Sequence, residues 1–139
     1  HFVLKHLAPK FFLNETLTRT IAVVLIAVTC VLLCTHFSKA YTAVDAIFLI
    51  ITLALGVVFY LQLLQRFFLS FLIILIPFFI VNGILTGSMI DAPIVWYNDD
   101  ENLGIRLATI PIEDIGYAFS MLFGNLMIFE CLKPKQDIR

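Results

Sequence analysis

Four stretches of about twenty residues, nearly free of charge, decide what this chain can become. They run over roughly 20–37, 44–64, 67–88 and 110–132. Each matches the ~20 residues an α-helix needs to cross ~30 Å of hydrocarbon. Alternation at period two is absent, which argues against a transmembrane barrel. Of the 139 residues 61% are hydrophobic and 14% charged, where a soluble domain carries about a quarter charged residues. The formal net charge of −1 offers no basic field for nucleic acid, so that partner class is excluded. The expected fold is all-α and integral to the membrane: one domain over 1–139, a bundle of about four transmembrane helices.

The lysines and arginines orient the bundle. Lys5, Lys10, Arg19, Arg66, Lys133, Lys135 and Arg139 fall on one side, and only Lys39 and Arg106 on the other. The positive-inside rule then puts both termini in the cytoplasm and the chain in a cell (inner) membrane. The stretch before the first apolar run lacks a secretory pattern. Because the chain starts at His1 rather than Met, it is expected to be a fragment or processed form. "LLQRFF" predicts a tight hairpin between neighbouring second and third helices. Cys30, Cys34 and Cys131, with His1, His6 and His36, form no metal-ligand pattern, so no metal site is expected.

The acids are distributed unevenly. Asp99, Asp100, Glu101, Glu113 and Asp114 are half of the ten in the chain. The first three lie within the Met89–Thr109 connection, which is long for a mere connector, and the other two just after it. Within it, Trp96 and Tyr97 suit an aromatic belt at the membrane interface. In the third helix Pro77 predicts a kink, and Asn82 and Thr86 share a face beside Gly83 and Gly87. That face suits either helix–helix hydrogen bonds or the polar wall of a pocket.

The last apolar stretch holds the costliest residues. Pro111 is expected in the first helical turn, followed by Glu113 and Asp114, which the helix dipole favours there. Gly116, Ser120 and Gly124 repeat every four residues, a track on which another helix can approach closely. Glu113 and Tyr117 lie beside this track, and Asp114, Met121 and Asn125 occupy its shoulder, so both acids are expected to face the bundle. An acid beside an apolar cavity disfavours its charged form, and a second acid adds repulsion, so the pair can hold one proton between them. The helix N-terminus, or a pairing with Arg106, opposes this. Trp96, Tyr97, Tyr117, Phe119 and Phe123 offer π faces to a cation. Acids with aromatics in a membrane suit protonation of an alkene and shelter of the resulting carbocation.

The segment "WYNDDENLGIRLATIPIEDIGYAF" resembles the signature of the small integral-membrane lycopene cyclase domain, the heterodimeric or fused type. The match falls on Trp96, Tyr97, Asn98, Leu103, Gly104, Ile105, Arg106, Pro111, Glu113 and Asp114. The resemblance implies redox-neutral cyclisation of a linear carotenoid such as lycopene, a lyase or isomerase reaction, with no flavin or other cofactor. It implies Glu113 and Asp114 as catalytic acids, and a substrate site around Trp96, Tyr97, Asn98, Arg106, Tyr117 and Asn82. Family chains resemble two tandem halves, each with a Pro-x-Glu-Glu/Asp helix, whereas this chain has one such motif, at Pro111–Asp114. It looks like a second, C-terminal half with a linking helix, so a homologous N-terminal half, a partner subunit or a homo-oligomer is expected.

Three other readings stay open on the sequence. One is a non-catalytic carotenoid-binding or assembly subunit. Another is a membrane prenyltransferase, suggested by "NDDEN", though its acids are one contiguous run with no second cluster for Mg²⁺-diphosphate. The third is a proton-coupled transporter, which the absence of a visible inverted repeat disfavours.

Overall fold

The computed structural model describes residues 12–133. Four helices carry the fold: α1 (Glu15–Thr35), α2 (Ala40–Phe59), α3 (Leu61–Leu85) and α4 (Glu113–Leu132). All four are long and apolar enough to cross a membrane. A small antiparallel hairpin, β1 (Arg106–Leu107) with β2 (Ile110–Pro111), precedes α4.

The helix boundaries differ from expectation at three places. Asn14 caps α1, its side chain accepting from the Leu17 N–H at 2.7 Å, so that helix begins five residues before residue 20. The break between α2 and α3 is a single residue, Tyr60, at φ −129° and ψ 34°. "LLQRFF" therefore lies inside α3 rather than in the hairpin, because a one-residue break leaves the hydropathy uninterrupted. Pro111 sits in β2, opposite Arg106, and not in the first turn of α4. Its missing N–H is tolerated there at the rim of a two-residue ladder. Pro77 stays within α3, which continues to Leu85.

The core is aromatic. Phe67 and Phe71 of α3 meet Phe119 and Phe123 of α4 with ring centroids 4.9–5.1 Å apart. Such edge and tilted contacts each add about 0.5–1.5 kcal/mol beyond area burial. The close approach of α2 to α4 requires glycine at Gly56, where a Cβ would stand 2.7 Å from Phe123 Cε1. The small-residue track on α4 is used only in part. Gly116 and Ser120 face the bundle, but Gly124 has no atom within 4 Å of a would-be Cβ. Tyr117, Met121 and Asn125 point outward and are exposed.

The long connection folds back over the helix ends. The Ile94 and Val95 N–H groups donate to the Leu85 carbonyl at 2.9 and 3.0 Å. Thr109 Oγ1 shares hydrogens with Thr86 Oγ1 and Ser88 Oγ, both at 2.6 Å. Glu101 caps α2, accepting from Ala40 N–H on its side chain at 2.9 Å and from Tyr41 N–H on its carbonyl at 3.0 Å. These bonds deliver the loop's polar groups to the mouth of the bundle.

Candidate active site

Glu113 is the first residue of α4, and only 5% of the residue is exposed. One oxygen, Oε1, accepts from Leu103 N–H at 2.7 Å and from the Thr42 hydroxyl at 2.9 Å. The other, Oε2, is buried and has no hydrogen-bond partner among the described residues. Burial without a partner costs a polar atom about 1–3 kcal/mol. Oε2 is therefore the oxygen of this carboxyl that carries no competing bond.

Asp114, also 5% exposed, is held differently. The Tyr41 hydroxyl donates to Oδ1 at 2.5 Å and the Tyr97 hydroxyl to Oδ2 at 2.6 Å. The two rings meet edge to face at 5.9 Å. Burial, then the bond to Asp114, push the Tyr97 phenol above its ordinary range, so it stays protonated and remains a donor. Both oxygens of Asp114 are thus occupied.

A third acid joins them. Asp45, on the second turn of α2, is 9% exposed and its Oδ1 has no hydrogen-bond partner among the described residues. Its carboxyl packs on the backbone of Gly116, where a Cβ would lie 2.6 Å from Oδ2. Asp45 and Glu113 both line a cavity of about 650 Å³ between the helices. Its remaining wall is largely apolar, with Leu49, Phe68, Phe71, Leu75, Ile115 and Phe119 among the contributors. That size falls within the ~300–1,000 Å³ of small-molecule sites.

The residues expected from sequence fall into two groups. Glu113, Asp114 and Tyr97 come together, and Arg106 lies 5.7 Å over the Tyr97 ring. Arg106 does not pair with the buried acids. It donates to the Thr109 carbonyl at 2.9 Å and forms an ion pair with Asp99, whose carboxyl that bond holds below the usual range. Trp96 is 79% exposed. Asn98 shapes the turn, its Oδ1 accepting from Asp100 N–H at 3.1 Å. Tyr117 faces outward, and Asn82 near the end of α3 uses its carbonyl to accept from Thr86 at 2.8 Å. None of these last four lines the cavity. Phe119 does, while Phe123 is packed in the core.

Sequence reasoning missed Tyr41, Thr42 and Asp45. The available signal was a lone acid at the head of an apolar run, with Tyr41 four residues before it and thus on the same helical face.

Among known proteins, a family model described as lycopene cyclase matches residues 38–132. No curated protein and no solved structure matches the chain. The matched span is more than half of the chain and holds all three buried acids, both tyrosines and Thr42. The chain belongs to the lycopene cyclase family, and is a multi-pass membrane protein with a carotenoid-cyclase-related role.

Proposed function

We propose that this chain cyclises the ψ end of a linear carotenoid such as lycopene, by redox-neutral acid catalysis, to a β-ionone-type ring. The observation that carries this reading is the apolar cavity with a buried carboxyl oxygen, Glu113 Oε2, left without a partner among the described residues. An alkene offers no hydrogen-bonding group, so a site for it needs apolar walls and one proton-transfer group free of competing bonds. Phe68, Phe71 and Phe119 supply π faces to the cation formed on protonation, worth roughly 0.5–2 kcal/mol each. Glu113 exchanges the proton with substrate. Asp114 is a positioning residue, tying α4 to α2 and to the loop through Tyr41 and Tyr97.

The active unit includes a homologous N-terminal half or a second copy. In support, the family match begins at residue 38, after α1, and the chain carries one Pro-x-Glu-Asp motif. The exposed outer face of α4, with Tyr117, Gly124 and Asn125, supports the same reading. The lysine and arginine bias supports an orientation with both termini in the cytoplasm of a cell membrane. Lycopene conversion by this chain alone, held as a monomer, contradicts the partner requirement. In membranes that also hold an N-terminal half, Glu113→Gln is expected to lower ring formation about 10²–10⁴-fold and Asp114→Asn to reduce it less. Ring formation that survives both substitutions makes the chain a carotenoid-binding subunit instead.

A further inference from the structure

The three buried carboxyls are not equivalent, and the difference lies in what donates to them. Asp114 accepts two phenolic hydrogens, one on each oxygen. Glu113 accepts two on Oε1 and stands at the positive end of α4. Hydrogen bonds donated to a carboxyl stabilise its ionised form, as does a helix N-terminus. Asp45 receives no hydrogen bond from any described residue, and its Oδ1 is fully buried. It lies within α2, past the first turn, and packs on Gly116 and the cavity. A carboxyl that accepts nothing and faces hydrocarbon is arranged to carry a proton; one that accepts two donors is arranged to take one up.

We infer that Asp45 is the proton donor of the cyclisation and Glu113 the proton acceptor. The inference rests on the cyclase reading above. In the first step the Asp45 O–H bond breaks while the π pair of the terminal double bond forms a new C–H bond, leaving a tertiary cation. The π pair of the next double bond closes the ring and moves the cation to a ring carbon. Glu113 Oε2 then removes a proton from the adjacent ring carbon, and that C–H pair becomes the ring double bond. One proton enters, one leaves, and no electrons are exchanged with a redox partner. Between turnovers Glu113 loses its proton to water and Asp45 regains one, at the loop end of the site.

Infrared spectroscopy of the chain in lipid bilayers tests the assignment without requiring turnover. A neutral, buried carboxylic acid gives a C=O stretch distinct from that of carboxylates. The expected result is such a band in the wild type, lost in Asp45→Asn and kept in Glu113→Gln and Asp114→Asn. A band that persists in Asp45→Asn but disappears in Glu113→Gln, or no band in the wild type, overturns the inference. In membranes that also hold an N-terminal half, Asp45→Asn is expected to lower ring formation about 10²–10⁴-fold. Unchanged conversion by Asp45→Asn, with Glu113→Gln inactive, overturns the role of Asp45 and leaves the cyclase reading standing. Circular dichroism of Asp45→Asn matching the wild type excludes misfolding as the cause of lost activity.

Discussion

Two clusters of acids sit a dozen residues apart and live in opposite surroundings. Asp99, Asp100 and Glu101 lie on the loop, in reach of cations and free backbone donors: Asp99 pairs with Arg106, Lys39 Nζ donates to the carbonyls of Asp99 and Asp100, and Glu101 caps α2. Among the described residues, Glu113 and Asp114, with Asp45 beside them, accept hydrogen bonds only from hydroxyls and one backbone N–H, in largely apolar surroundings. A cation beside a carboxylate removes its reason to bind a proton. A hydroxyl orients the carboxyl but leaves the proton exchangeable. The same side-chain type therefore ties down a loop on one side of β1–β2 and, on the function proposed above, exchanges protons on the other.

The largest expected effect separates the clusters directly. Glu113→Gln should lower ring formation by about 10²–10⁴-fold, the usual range for a lost proton-transfer group. Asp100→Asn, on the loop, should leave it unchanged. Chromatography of carotenoids from membranes that also hold an N-terminal half reads both. Equal losses erase the distinction.

Gly116→Ala tests whether the cavity acids depend on the close approach of α2 and α4. The new Cβ would arrive 2.6 Å from Asp45 Oδ2, so the carboxyl or the helices must move. Overpacking of this kind costs about 1–3 kcal/mol, to be read as a lower unfolding midpoint in detergent, together with reduced cyclisation. Gly124→Ala, where nothing lies within 4 Å, should be neutral to stability in the isolated chain.

Tyr41→Phe and Tyr97→Phe each free one oxygen of buried Asp114, and each should cost about 1–3 kcal/mol. A chemical unfolding series measures this. The account expects their effect on conversion to be smaller than that of Glu113→Gln, since they position rather than transfer.

Much of the bundle was legible because hydropathy reports it directly. The four spans follow from runs of apolar residues, and the inward placement of Glu113 and Asp114 follows from the cost of leaving acids in lipid. The rest depends on contacts distant in sequence. Asp45 and Gly116 meet across two helices 71 positions apart, a separation no local pattern encodes. Tyr60 ends a helix without changing hydropathy, so the α2–α3 break was misplaced. Arg106 had five nearby acids to choose from, and only the loop's folding shows that it takes Asp99. Tyr117 stands four residues after Glu113, only about 40° round the helix from it, yet it is exposed, because which part of that side the neighbouring helices cover is set by contacts distant in sequence.

The smallest expected effect belongs to the loop. Arg106 holds the Asp99 carboxyl below its unfolded value, so this pair's stabilisation is fully present above the ordinary aspartate range near ~4. It is lost as pH falls through the lower, folded value. Because Asp99 is exposed, Asp99→Asn should remove only a slight acid-side dependence from the unfolding midpoint and leave cyclisation intact.

The most direct measurement of the central claim is the mass of the ring product formed in D₂O by membranes holding this chain and an N-terminal half. Proton transfer in and out at the carboxyl-lined cavity predicts one deuterium per ring formed, with no change in oxidation level. Rings formed without deuterium, or with a two-electron change in the carotenoid, contradict it.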